Sequence, residues 1–152
     1  MNNNQPRDRS SKRGGFKKSL AGFVLFATVM SFGGVAFAEG SWTSSITGAL
    51  TGFDSRNWTD KKIDNANTTI KLEGCRNVNV APNAVTTTDV QLQKNNNNWP
   101  DESKGTKNFS CRNSATGNWG NVAKGDYYFR IKKIDGNESG GRLNVTKVTT
   151  AY

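Results

Sequence analysis

"DYYFRIKK", residues 126–133, alternates with a period of two: Tyr127, Phe129 and Ile131 point one way, and Tyr128, Arg130 and Lys132 the other. Successive side chains of a β-strand leave opposite faces, whereas a helix repeats every 3.6 residues, so the stretch predicts a strand with one dry and one wet face. The pattern recurs outward in both directions. In "TTIKLEG" (68–74), Ile70 and Leu72 oppose Lys71 and Glu73, and in "TDVQLQK" (88–94), Val90 and Leu92 oppose Asp89, Gln91 and Gln93. "KNFSC" (107–111) puts Phe109 and Cys111 on one face, and "RLNVTK" (142–147) sets Leu143 and Val145 against Arg142, Asn144 and Thr146. The opening "SWTSSITGALTGF" (41–53) follows more loosely, with Trp42, Ser44, Ile46, Gly48 and Leu50 in phase, and a short strand is expected around Trp119.

Between these runs lie segments crowded with turn formers: "DSRNWTDKKIDNAN" (54–67), "RNVNVAPNAV" (76–85), "NNNNWPDESKGT" (95–106), "RNSATGN" (112–118) and "DGNESGG" (135–141). Good helix formers are sparse throughout. About six to eight short strands separated by such loops predict an all-β chain, a single antiparallel β-sandwich, with a small open β-barrel as the alternative. Two places break the alternation. Cys75 is out of step with Ile70 and Leu72, and Val148 with Leu143 and Val145, which predicts bulges at Gly74 and near Lys147.

The amino-terminal part is of another kind. Arg7, Arg9, Lys12, Arg13, Lys17 and Lys18 precede an apolar run from Leu20 to Met30, which loosens at Ser31, Gly33 and Gly34 and ends in Ala36-Phe37-Ala38. A cationic end, a short apolar centre and small residues at the first and third places of the tripeptide describe a secretory signal. Residues 1–38 are therefore expected to be a signal peptide cut between Ala38 and Glu39, and residues 39–152 the single secreted, extracellular domain. The glycines and polar residues interrupt the run short of the about 20 apolar residues of a membrane span. Membrane contact is expected only through an uncleaved leader.

The whole chain carries 21 basic and 12 acidic residues, a net charge of +9. The leader takes 6 of the bases and 1 of the acids, leaving 15 against 11, or +4, in residues 39–152. No basic run exceeds the pairs Lys61-Lys62 and Lys132-Lys133, which argues against a nucleic-acid partner. A mild positive charge suits attraction to an anionic cell wall. The two cysteines, Cys75 and Cys111, both fall in the exported part, where an oxidising environment predicts one disulfide.

Missing residues exclude much chemistry. The chain has no histidine, so the usual nucleophilic triad and histidine-based zinc sites are absent. Asp54, Asp60, Asp64, Asp101, Glu102 and Asp126 could in principle supply a carboxylate pair, but all lie in or beside polar turns. "DGNESG" (135–140) matches the first half of a calcium loop, yet the twelfth position is Thr146 rather than glutamate, and the Asp60–Asn67 run is a second oxygen-rich loop. No catalytic residue, metal ligand or cofactor site is assigned. The aromatics lead instead. Trp58, Trp99 and Trp119 stand among polar neighbours, and Pro100 stiffens the loop after Trp99. An indole on a rigid loop can stack on a sugar or anchor a protein interface.

"GSW" (40–42), "SRNW", "TTIKLEGC", "VQLQK" and "GDYYFRI" resemble the pattern of small secreted single-disulfide β-proteins of Gram-positive bacteria, a group without a settled activity. "EGSW" at the expected mature start resembles the lactococcin 972 class of bacteriocins, secreted β-proteins that act at the cell envelope. The chain departs from that class in its length, its two cysteines and its lack of histidine, and only Trp42 carries over, in a structural role. The expected function is non-catalytic binding at a cell surface or on extracellular glycan or cell-wall polymer. The alternative is a secreted antagonist, either a bacteriocin-like toxin or a protease inhibitor with "NNNNWPDESKG" as its loop.

Overall fold

A computed structural model describes residues 38–152. The leader up to Phe37, including Ala36 of the expected cleavage site, lies outside the described residues. Ala38 is exposed, and Glu39 is half-buried.

The described chain is all β. Eight strands, β1 (Ser41–Ala49), β2 (Trp58–Asp60), β3 (Thr69–Asn77), β4 (Thr87–Asn95), β5 (Glu102–Ser110), β6 (Ser114–Asn118), β7 (Gly125–Ile134) and β8 (Leu143–Ala151), form two open antiparallel sheets. One has the order β1-β8-β3-β6 and the other β2-β7-β4-β5. Their inner faces supply the core: Ile70, Leu72, Val145 and Val148 from the first sheet, and Val90, Leu92, Phe129 and Ile131 from the second. All but Val148, which is out of step with Leu143 and Val145, are residues that the alternation assigned inward, and β-branched and aromatic side chains favour such a pleated, half-buried surface. The sandwich, rather than a closed barrel, is the fold.

The two breaks in phase turn out to be one feature. Glu73 pairs with Lys147 and Cys75 with Val145, so β3 and β8 each spend the same number of residues and stay in register. Gly74 has a φ of 60° there. On its other side β8 meets β1, where Ser44 pairs with Val148 and Ile46 with Val145, so β1 falls one residue short. It recovers at Gly48, whose φ is 67° and whose N–H donates to Asn144 Oδ1 at 2.7 Å, before Ala49 pairs with Leu143. This second bulge corrects the expected face of β1: Ala49 is buried, and Leu50 is 53% exposed. Ser44 keeps the expected face, opposite buried Val148 and beside Trp42 and Ile46, although it is solvent-exposed on this edge strand.

Two strands lie in segments read as loops. β6 occupies most of "RNSATGN", ending one residue before Trp119, and β2 lies inside the long polar run 54–67. Cys75 and Cys111 form a disulfide that ties β3 in one sheet to the end of β5 in the other. It lies toward one pole of the sandwich, with the 78–86 and 135–141 loops. The opposite pole carries the β4–β5 turn and the 61–68 loop. There Gly40 and Tyr152 exchange backbone hydrogen bonds, and Glu39 accepts from the backbone N–H groups of Lys61 and Ile63.

Candidate functional site

The tryptophans singled out by the sequence occupy different surroundings. Trp99 is 80% exposed at the tip of the β4–β5 hairpin. Trp58 is 4% exposed, in contact with the core. It stacks on Tyr127 and Tyr152, with ring centroids 6.3 and 5.8 Å away. Trp119 is half-buried on Phe109, and its Nε1–H donates to the Gly105 carbonyl at 2.9 Å. Trp42 is buried beside Trp58 and stacks on Phe129. Only the Trp99 indole, among the described tryptophans, is free to meet a partner broadside. Polar neighbours do not separate these cases: the packing of Trp58 depends on β2 joining β7, where Trp58 pairs with Tyr127.

The Trp99 tip is built from its own polar residues. Asn97, with a φ of 49°, donates its N–H to Asn95 Oδ1 at 2.9 Å, and asparagine tolerates that left-handed backbone. Asn96 donates its N–H to Asp101 Oδ1 and its Nδ2–H to the Pro100 carbonyl, both at 3.2 Å, closing the base of the turn. Asp101 also accepts from the Tyr128 hydroxyl at 2.5 Å. That bond, the Asn96 N–H and nearby Arg130 hold the Asp101 carboxyl below the usual carboxylate range. Burial, and then Asp101 itself, push the Tyr128 hydroxyl up to about 12.

Tyr128 therefore connects the tip to the outer face of the second sheet. It alternates outward yet is buried, with the Arg130 guanidinium 5.7 Å from its ring centroid. Arg130 is held in turn by two 2.6 Å hydrogen bonds to Asp54. Gln93, paired with Tyr128, donates to Gln91 Oε1 at 2.6 Å, and Gln91 donates to Ser103 Oγ at 2.8 Å. Gln93 Oε1 is buried and accepts no hydrogen bond. The result is a polar ladder of amide, hydroxyl and guanidinium groups. The sequence signal for it was the outward register of "DYYFRIKK" and "TDVQLQK".

The carboxylates weighed for catalysis are each engaged. Asp54 binds Arg130, Glu102 binds Lys104 and Asp126 accepts from Thr59. Asp60 and Asp64 accept from the backbone N–H groups of Lys62 and Ala66, and burial raises the Asp60 carboxyl above its ordinary value. In the half-matching calcium loop, Asp135 accepts from Asn77 Nδ2 and the Thr87 N–H at 2.7 and 2.8 Å, joining two loops at the disulfide pole. Among the described residues no three His, Cys, Asp or Glu side chains cluster as metal ligands would.

The disulfide is compatible with an extracellular location. Set against known proteins, the chain matches no family model, no curated protein and no solved structure at a significant level.

Proposed function

We propose that the chain is a secreted, non-catalytic binding protein that engages extracellular glycan or cell-envelope polymer through the β4–β5 tip. The observation that carries this reading is the 80% exposure of Trp99 on a turn fixed by Asn95, Asn96 and Asp101. A large apolar ring held in water on a preordered turn gains most from a partner that stacks on it, and little ordering entropy is left to lose. The adjoining ladder offers directional donors and acceptors of the kind that recognise hydroxyl groups. In this reading Trp58 and Trp119 support the fold and do not touch the glycan at the tip. The export signal read in residues 1–38 and the disulfide support an extracellular site of action.

Retention of the purified domain on cell wall and insoluble glycans tests the proposal. Trp99→Ala should lower retention about tenfold or more, equivalent to about 1.4 kcal/mol, with an unchanged near-ultraviolet circular dichroism spectrum. Retention equal to the parent's would overturn it. A rigid tip also suits a secreted antagonist that inserts a loop into a target, and Trp99-dependent growth inhibition of neighbouring strains without glycan retention would select that reading.

A further inference from the structure

Away from the hairpin tip, the edges of the two sheets meet at β1 and β2 with unused hydrogen-bond donors. Trp42 and Trp58 are 8% and 4% exposed, and the Nε1 atom of each is buried and donates to no acceptor. Buried indole N–H groups ordinarily find a partner. Their rings lie 6.0 Å apart, tilted by 56°. A third unused donor lies over Trp42. The Arg56 guanidinium sits 5.0 Å from the Trp42 ring centroid and makes no ion pair or side-chain hydrogen bond among the described residues.

Arg56 also borders two openings. One, of about 410 Å³, is lined by Trp58, Tyr152, Lys61 and Glu39 as well as Arg56. The other, of about 110 Å³, is apolar and lies among Trp42, Ile46, Phe53 and Phe129, again with Arg56. Lys61 adds a second cation without an ion pair among the described residues. Glu39 is the opposing charge, but its carboxylate is turned to the backbone N–H groups of Lys61 and Ile63. Two cations thus border aromatic walls whose buried indole N–H groups lack partners, and the polar groups that would complete all of these donors are acceptors.

We propose that this cleft is a binding site for an oxyanion, a carboxylate or phosphate carried on a small ring or polyol. The anion binds Arg56 at the mouth, draws the guanidinium off Trp42, and so opens the way to the Trp42 and Trp58 N–H groups. Charge-assisted hydrogen bonds to guanidinium are among the stronger ones available, and aromatic walls accept the body of the ligand. The proposal is independent of Trp99, which lines neither opening.

Calorimetric titration of the folded domain with sodium D-glucuronate, glycerol 3-phosphate and uncharged D-glucose tests it. At least one anion should bind in the millimolar range and at least tenfold more tightly than glucose; the two anions distinguish a carboxylate ligand from a phosphate one. Arg56→Gln, an exposed change that leaves the core intact, should weaken that anion about tenfold or more. Trp58→Phe removes the N–H together with the pyrrole part of the indole; it should weaken the anion several-fold, with a lowered Tm from the lost volume but a folded domain. Trp99→Ala should leave anion affinity unchanged. Binding of neither anion at 10 mM, equal binding of glucose, or an Arg56→Gln variant that binds as the parent does would each overturn the proposal.

Discussion

Replacing Cys75 and Cys111 by alanine together removes the covalent tie between the sheets, and its cost can be worked out. The cross-link spans a sequence separation of 36. In the chain-entropy treatment, closing a loop of that size lowers the entropy of the denatured chain by about 13 cal/mol/K, or about 4 kcal/mol at 25 °C. Both residues are buried, so losing two sulfur atoms adds a small void worth about 1 kcal/mol. For a domain of this length 1 kcal/mol moves Tm by about 4 °C, which places the double variant about 15–20 °C below the parent. Urea unfolding followed by tryptophan fluorescence would measure the loss. The dependence on urea should also steepen, because the uncrosslinked denatured chain exposes more surface. At temperatures where the variant remains folded, retention through Trp99 should persist, since the hairpin tip lies at the other pole. A loss below about 1 kcal/mol with an unchanged urea slope would refute the reasoning, since it would mean that the bond scarcely restrains the denatured chain.

Gly117→Ala should cost about 1–3 kcal/mol by overpacking, because a methyl group there would come within 2.7 Å of the Trp119 ring and 2.8 Å of Phe109; thermal unfolding checks this, and an unchanged Tm would count against the packing described. Tyr127 and Tyr128 are both pushed up to about 12, chiefly by burial, so they stay neutral where a denatured tyrosine ionises. Their contribution is complete below about pH 10 and is lost as pH rises from 10 toward 12, which an alkaline unfolding series monitored by tyrosinate absorbance would detect. On the acid side, Glu39, Glu73, Asp101 and Glu102 are held low by hydrogen-bond donors and lose their stabilisation as pH falls below about 4.5. Asp60, raised by burial, acts in the opposite sense, so stability measured from pH 5 to pH 2 should fall overall but less steeply than four lowered carboxylates alone would give.

What could be read from residues alone followed the range of the forces involved. The period of two in 68–74, 88–94 and 126–133 reports which face is dry, and those strands formed with Ile70, Leu72, Val90, Leu92, Phe129 and Ile131 buried. β2 gave no such signal because three residues, Trp58–Asp60, are too few to show a period, and its pairing with β7 is made across 67 positions of sequence. The site divided in the same way. Trp99 is exposed by a turn whose asparagines and proline are its immediate neighbours, so its setting was local and legible. The burial of Trp58 rests on Tyr127 and Tyr152, and the anchoring of Trp119 on Gly105, all distant in sequence. The same holds for Arg56, which looked like one more polar loop residue until β1 brought Trp42 beneath it.

The shared extra residue in β3 and β8 constrains how such a chain could change by insertion and deletion. Glu73 and Gly74 are two successive residues outside the core, so deleting Gly74 alone would keep Cys75 and Asn77 in phase with Ile70 and Leu72 but leave Thr146 of β8 without a residue opposite it. Deleting Thr146 alone would likewise keep Leu143 and Val145 in phase with Val148 and leave Gly74 of β3 as an unmatched extra residue. Losing both at once would let the two strands slide back into step, leaving only β1 to absorb the difference at Gly48. Each deletion should therefore act as a suppressor of the other, and the two positions would be gained or lost over time as one heritable unit.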